Sequence, residues 1–376
     1  MVIKNKGRQS VFAGFLIGGA MFAFSANGLA AEEMDHSKHA APAAEMDHSQ
    51  HAGMDHSTAA QAGQHVHHAH GAGQWMVELR YMRMEMEDLL DGDSSVSSED
   101  ISGIVMPMGP CMTQKDPTRP YCMSPTEMTM DMTMLMVMYG FTEKVSGMLM
   151  LNHLDNEMDM VMHMRMMAGG PVTNSTYSEM ETSGMGDTQV GAMYKIDSNM
   201  TAGLMLSIPT GDIDEKVQMM GNTVQAPYAM QLGSGTYDLI PSIQYITSQG
   251  MWTYGGQAEY TYRVGENDND YTLGNKLKLS GWGKYAVNKT WNVAGRLDYL
   301  NADEIDGQDP SIMPIMAPTS DPNNYGGTRV DLTLDATAAF GAHTVGLGYT
   351  VPVQQDVNGI QMELQSIMTF SYMYMM

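Results

Sequence analysis

The chain has 376 residues, 43 of them methionine, and a formal net charge of -24. That acidity excludes nucleic-acid binding through a basic footprint and fits a soluble or cation-attracting surface. Beyond residue 31 no apolar run approaches the ~20 residues of a spanning helix, so any membrane passage would rest on β-strands.

Lys4, Lys6 and Arg8 precede an apolar stretch from Val11 to Phe24, and Gly28, Leu29, Ala30 and Ala31 offer small residues for cleavage. This predicts a signal peptide over residues 1–31, with a retained anchor as the rival reading. Its removal takes the charge to about -27 and places the chain outside the cytoplasm.

Residues 32–73 contain no aromatic residue and cannot bury a core, so they are predicted to be disordered. Met34-Asp35-His36-Ser37 recurs as Met46-Asp47-His48-Ser49 and Met54-Asp55-His56-Ser57, with second histidines at His39 and His51. His65, His67, His68 and His70 follow. Imidazole suits Zn, Cu and Ni, and thioether sulfur favours Cu(I). The tail therefore reads as a flexible multi-site binder of Cu(I), Cu(II) or Zn(II), copper first; a polar linker without metal is the plainer alternative.

Cys111 and Cys122, the two cysteines, lie in a Pro-rich segment. In an exported chain they are expected to form one loop-closing disulfide, with a two-cysteine metal site as the alternative.

From Trp75 the pattern has period two. Met128, Met130, Met132, Met134, Met136 and Met138 share one face, and Glu127, Thr129, Asp131 and Thr133 the other. Met158, Met160, Met162, Met164 and Met166 repeat this opposite Asp159, His163 and Arg165. Strands are predicted near 74–86, 126–140, 145–168, 185–196, 200–208, 236–248, 251–263, 273–287, 290–300, 327–340, 343–352 and 361–376. Tight breaks alternate with long loops, and residues 361–376 form an aromatic, alternating final strand. The fold class is all-β: a transmembrane antiparallel up-and-down barrel of about 12 strands over residues 74–376, with ten or fourteen also open.

The charged face of such a strand should line the interior. That puts Glu259, Arg263, Lys276, Lys278, Arg296, Asp298, Arg329, Asp331, Asp335 and Glu363 in the lumen and turns the methionine rows toward lipid. In the first strand Met76, Met82 and Met84 share a face with Glu78 and Arg80, so a few thioethers there would face inward. The acidic loops at Asp212, Asp214 and Glu215, at Glu266, Asp268 and Asp270, and at Asp303, Glu304, Asp306 and Asp309 are candidates for Ca²⁺ or Mg²⁺, or are simply solvated. No cofactor is obligatory.

Two resemblances add to this. The Met/Asp/His repeats of residues 34–57 resemble those of outer-membrane copper-resistance proteins of the B type, which raises copper among the metals. Ser183-Gly184-Met185-Gly186-Asp187, Pro209-Thr210-Gly211 and Gly233-Ser234-Gly235-Thr236-Tyr237-Asp238 resemble an outer-membrane transporter-like family filed under the phenol meta-degradation pathway. That likeness spans about residues 140–376 and implies a barrel passing small, hydrophobic solutes, with no catalytic residues.

The expectation is a non-enzymatic outer-membrane channel or transporter with a periplasmic metal-binding tail. Its partners would be membrane lipid, lipopolysaccharide, the outer-membrane assembly machinery and metal ions, with no nucleic acid. A closed barrel anchoring a metal-buffering tail is the second reading. A lipid hydrolase is the third; it would need a Ser/His pair, and no nucleophile motif accompanies His153 or His163.

Overall fold

The computed structural model describes residues 71–105, 121–167, 170–219 and 221–376. The signal segment, the Met/His repeats up to His70, and Cys111 lie outside these residues.

Period-two alternation produces twelve long strand segments: β1 (Trp75–Gly92), β2 (Ser124–Gly140), β3 (Val145–Arg165), β4 (Val172–Met185), β5 (Thr188–Lys195), β6 (Met200–Ile208), β7 (Tyr237–Gln249), β8 (Trp252–Val264), β9 (Lys276–Ala286), β10 (Trp291–Ala302), β11 (Gly327–Phe340) and β12 (His343–Met375). Apart from β4 and β5, which both pair with β3, each pairs antiparallel with its successor; β12 returns to β1, and the sheet closes. β4 and β5 share one position in this ring, pairing with the upper and lower parts of β3.

Eleven ring positions are therefore occupied, yet a ring of antiparallel neighbours closes only on an even number of strands. β12 resolves the parity. Its residues 343–357 pair with β11 and 357–375 with β1, so the chain reverses between them at Asn358-Gly359. Gly359 has φ +62°, a backbone conformation that glycine adopts without steric cost. β12 is a hairpin, and the barrel has twelve strands among the described residues.

Short breaks fall at 141–144, 196–199, 250–251, 287–290 and 341–342, all at one end. Trp75 and Met376 lie at this short-turn end, where each amide donates to the other's carbonyl at 3.0 and 2.9 Å. The long connections, at the loop end, fold over the barrel mouth.

The outer surface carries an apolar belt. Trp75, Phe141, Tyr194, Tyr245, Trp252, Trp291 and Phe340 ring it at the short-turn end, and Tyr237, Tyr262, Tyr299 and Tyr349 nearer the loops, all with exposed rings. From Trp291 to Tyr299 is roughly 27 Å of extended strand, which after strand tilt matches an outer-membrane apolar band flanked by aromatic girdles. The molecule is a membrane-spanning β-barrel of the outer-membrane type. No described helix is long and apolar enough to cross a membrane.

Candidate functional site

The barrel interior is built from two unlike walls. On β2 and most of β3 the inward positions are methionines, and β1, β5, β6 and the second arm of β12 add further ones among other residues. Met134, Met136 and Met138 are completely buried, whereas Leu135 between them is 38% exposed. Met76, Met148, Met150, Met193, Met205 and Met373 join them with Ile240 in one cluster toward the short-turn end. A second cluster nearer the loops contains Met123, Met128, Met158, Met160, Met162, Met180 and Met230.

This overturns the expectation that the methionine rows face lipid. The charges opposite them do point outward, but they stand where there is no lipid. β1, β2 and β3 run for 18, 17 and 21 residues, against the ~9–11 needed to span. Their outward residues at the short-turn end are apolar: Trp75, Val77 and Leu79; Leu135 and Val137; Leu149 and Leu151. Only the surplus near the loops carries Arg83, Glu85, Asp131 and Asp155 outside. There Asp131 accepts from Tyr81 Oη at 2.7 Å and from Arg83 Nη1 at 3.1 Å.

The facing wall, on β7 to β11, is charged. Arg296, Asp298, Asp331 and Asp335 are buried, and Arg296 Nε donates to Asp298 Oδ2 at 2.8 Å. Arg329 Nε donates to Asp331 at 3.0 Å, and Arg263 pairs with Asp238. Arg296 also reaches Thr333, whose hydroxyl lies 2.7 Å from that of Thr350. Glu259, Arg263 and Lys276 line an interior cavity of about 480 Å³. Lys278 stands opposite Glu259 on the same face.

Glu363 departs from the expectation. β12 slips register against β1 where Ser366 pairs with Glu85 but Leu364 pairs with Met86. This bulge at Gln365 inverts the inside-outside sense of the strand, so Leu364 is buried inside and Glu363 sits with Glu87 on the outer face. Sequence reasoning also passed over Asp238 and Lys284, both buried inside. Glu78 and Arg80 are buried on β1 and form an ion pair of 2.6 Å. The signal was available: acid and base two residues apart on one strand face, as in Arg296/Asp298 and Arg329/Asp331.

The loop end is closed by residues 226–236, which turn into the barrel mouth. Tyr228 packs edge-to-face on Tyr271 and Tyr325 at 4.9 and 5.7 Å between ring centres. Burial pushes the phenols of all three above their ordinary value. Thr182 Oγ1 donates to Met230 O at 2.7 Å, and Asn267 Nδ2 to Ser234 O at 3.1 Å.

The three glycine-rich motifs meet under this cap. Asp187 accepts from Gly211 N at 3.0 Å, from Ser234 N at 2.8 Å and from Ser234 Oγ at 2.7 Å. Thr188 and Gly186 join the junction through the Thr210 hydroxyl, which accepts from Thr188 N at 2.8 Å and donates to Gly186 O at 3.1 Å. Gly211 and Gly233 cross so closely that a Cβ on either would overlap the other's backbone. What reads in sequence as separate turns is one carboxylate-centred knot beneath the mouth.

A second interior cavity, about 410 Å³, shares Leu273, Lys276 and Tyr325 with the first and is also lined by Met84, Met86, Arg329 and Leu364. The acidic loops do not converge: among the described residues no three of His, Cys, Asp and Glu are grouped to hold a metal ion. His163 is buried, its ring nitrogens 3.0 Å from Ser98 Oγ and 2.9 Å from Ser175 Oγ, joining the short helix Ser98–Ile101 to β3 and β4. Cys122 is buried and no described cysteine is free.

Residues 114–313, more than half of the chain, match the family described as the MetA-pathway of phenol degradation. The chain belongs to this family. No curated protein matches it in sequence. Among solved structures, an outer membrane channel from Pseudomonas putida F1 superposes with a TM-score of 0.53 at 14% identity, over 83% of this chain and 99% of that one. The Pseudomonas putida toluene transporter TodX gives a TM-score of 0.42 at 10% identity, over 82% and 90%. At 14% identity the first likeness is one of fold, that of an outer membrane channel, whose setting is membrane lipid.

Proposed function

We propose that this barrel is an outer-membrane channel or transporter for small solutes, and that its N-terminal tail collects copper or similar ions in the periplasm. The observation that carries the channel reading is the pair of adjoining cavities inside a closed barrel, bounded by the methionine wall, the charged wall and the tyrosine cap. Methionine is apolar and adaptable, so a small hydrophobic or amphipathic molecule can lie along one wall while its polar groups meet the other. With short turns periplasmic, as in such barrels, Trp75 lies at the periplasmic end, and the proposal has residues 32–73 precede it there after signal cleavage. The Cys111–Cys122 bridge and Ca²⁺ or Mg²⁺ between acidic loops and lipopolysaccharide belong to the same proposal.

A specific feature supports the second reading, a closed barrel anchoring a metal-buffering tail. The methionine cluster packs the interior on the strands from β12 round to β7, and the closed-barrel reading needs it to seal the short-turn end. Planar-bilayer conductance of the full chain and of a chain lacking residues 32–73 separates the two. Conductance in both is expected, with Cu(II) or Zn(II) retained only by the full chain and Cu(I) retained by it in larger amount. No conductance and no solute flux in either would remove the channel reading. Absence of metal heats on titrating the tail peptide would remove the tail's role.

A further inference from the structure

Each strand of the methionine half has two apolar faces, and they are written in different residues. Toward lipid stand Val77, Leu79, Leu135, Val137, Leu149 and Leu151. Inside, on β1, β2 and β3, the apolar positions toward the short-turn end are held by methionine, and in the buried cluster there only Ile240, from β7, is not methionine. Burial of apolar area does not produce this split, since leucine fills such volume as well as methionine does. What thioether adds is a soft donor atom, which selects Cu(I) among the biological transition metals.

The register brings those donors together. Met375, Met76, Met138 and Met148 stand directly opposite one another on four successive strands at the short-turn end. Met86, Met128, Met158 and Met180 do the same nearer the loops. Side chains so paired start from Cβ atoms about 4.5–5.5 Å apart, within reach of one shared ion. Between the two rows β2 supplies one inward methionine in every layer from Met128 to Met138, a step of roughly 7 Å. Met130, Met132, Met148 and Met150 border the larger cavity, and Met84 and Met86 the smaller, so each row has one member, Met148 or Met86, beside a cavity.

We propose that the interior methionine wall is a binding ladder for a soft monovalent metal cation, Cu(I) or Ag(I), with an all-thioether site at each end. This deepens the channel reading and rests on it for passage of the ion, although binding itself does not require flux.

The test uses the detergent-solubilised full chain loaded with Cu(I) under reductant and read by Cu K-edge absorption and metal stoichiometry. Three proteins are compared: wild type, a tail variant with the histidines and methionines of residues 34–70 replaced by alanine, and that same tail variant with the six β2 methionines from Met128 to Met138 also changed to leucine. Wild type and the tail variant should both show sulfur-coordinated copper. The leucine variant should retain Cu(I) at least tenfold more weakly. Heat-modifiable gel mobility checks that it is folded, and M134L/M136L/M138L replaces it if it is not. A first shell of nitrogen and oxygen alone in wild type overturns the proposal, as does an unchanged sulfur shell in the folded leucine variant. Flux of a neutral solute into liposomes is measured in parallel. Its loss in all three proteins would sink the channel reading while leaving the copper result to stand or fall separately.

Discussion

The two halves of the interior solve the same packing problem by opposite means. The methionine half fills space with one flexible, uncharged side chain repeated strand after strand, and each residue can be exchanged for another of similar volume. The β7 to β11 half buries charges that depend on named partners: Arg296 on Asp298, Arg263 on Asp238, Arg329 on Asp331. The lesson is that burial alone does not measure how much a position matters. A buried methionine is replaceable in packing and specific only in chemistry, whereas a buried arginine is specific in both.

This contrast can be broken by measurement. Arg296→Ala should cost about 3–5 kcal/mol in urea unfolding, because it leaves the Asp298 carboxylate buried without its partner. A cost near that of a methionine exchange would erase the distinction between the walls. Asp187→Ala removes three hydrogen bonds to one carboxylate and should cost about 2 kcal/mol. It should also free residues 226–236, seen as faster protease cutting there and larger conductance; an unchanged cutting rate would deny the knot its role. Met136→Leu conserves volume and should cost less than about 1.5 kcal/mol. A larger loss would show that the thioether wall is as tightly specified as the charged one.

The smallest effect expected is on the cap, where the two walls meet. Burial holds the phenols of Tyr228, Tyr271 and Tyr325 above the ordinary 10.0. A raised folded value means full stability below the unfolded value and loss as pH climbs past it. Protease cutting of residues 226–236 should stay flat from roughly pH 7 to 9 and rise above about pH 10. A rise beginning near neutrality would point to other groups.

Much of the architecture was legible beforehand. Alternation, tight breaks and the aromatic final strand predicted the barrel and its strand number, and even the reversal at Asn358-Gly359 falls between two expected strands. The sense of the methionine strands was misread because sequence shows which residues share a face, not where the membrane stops along it. Asp131 and Glu127 look like lumen charges only if the whole strand is taken to lie in lipid. Glu363 was misplaced by a single extra residue, Gln365, which leaves no mark on composition. The glycine motifs were visible as turns, but nothing local indicates that Gly211, Ser234 and Asp187 converge, because their meeting depends on how the loops fold back.

The mutual hydrogen bonds of Trp75 and Met376 also carry a kinetic meaning. They belong to the seam where the first and last strands zip together, and that pairing joins the most distant parts of the described chain. No partial sheet made from β1 onward can shut, because its free edge waits for β12, the last of the described strands. Until then an unpaired strand edge is a hazard for mispairing, and the entropy of closing so long a loop makes the final step slow. The barrel is thus a fold that must be held open and then sealed, and a chain losing its last arm would lose the closure rather than one twelfth of the structure.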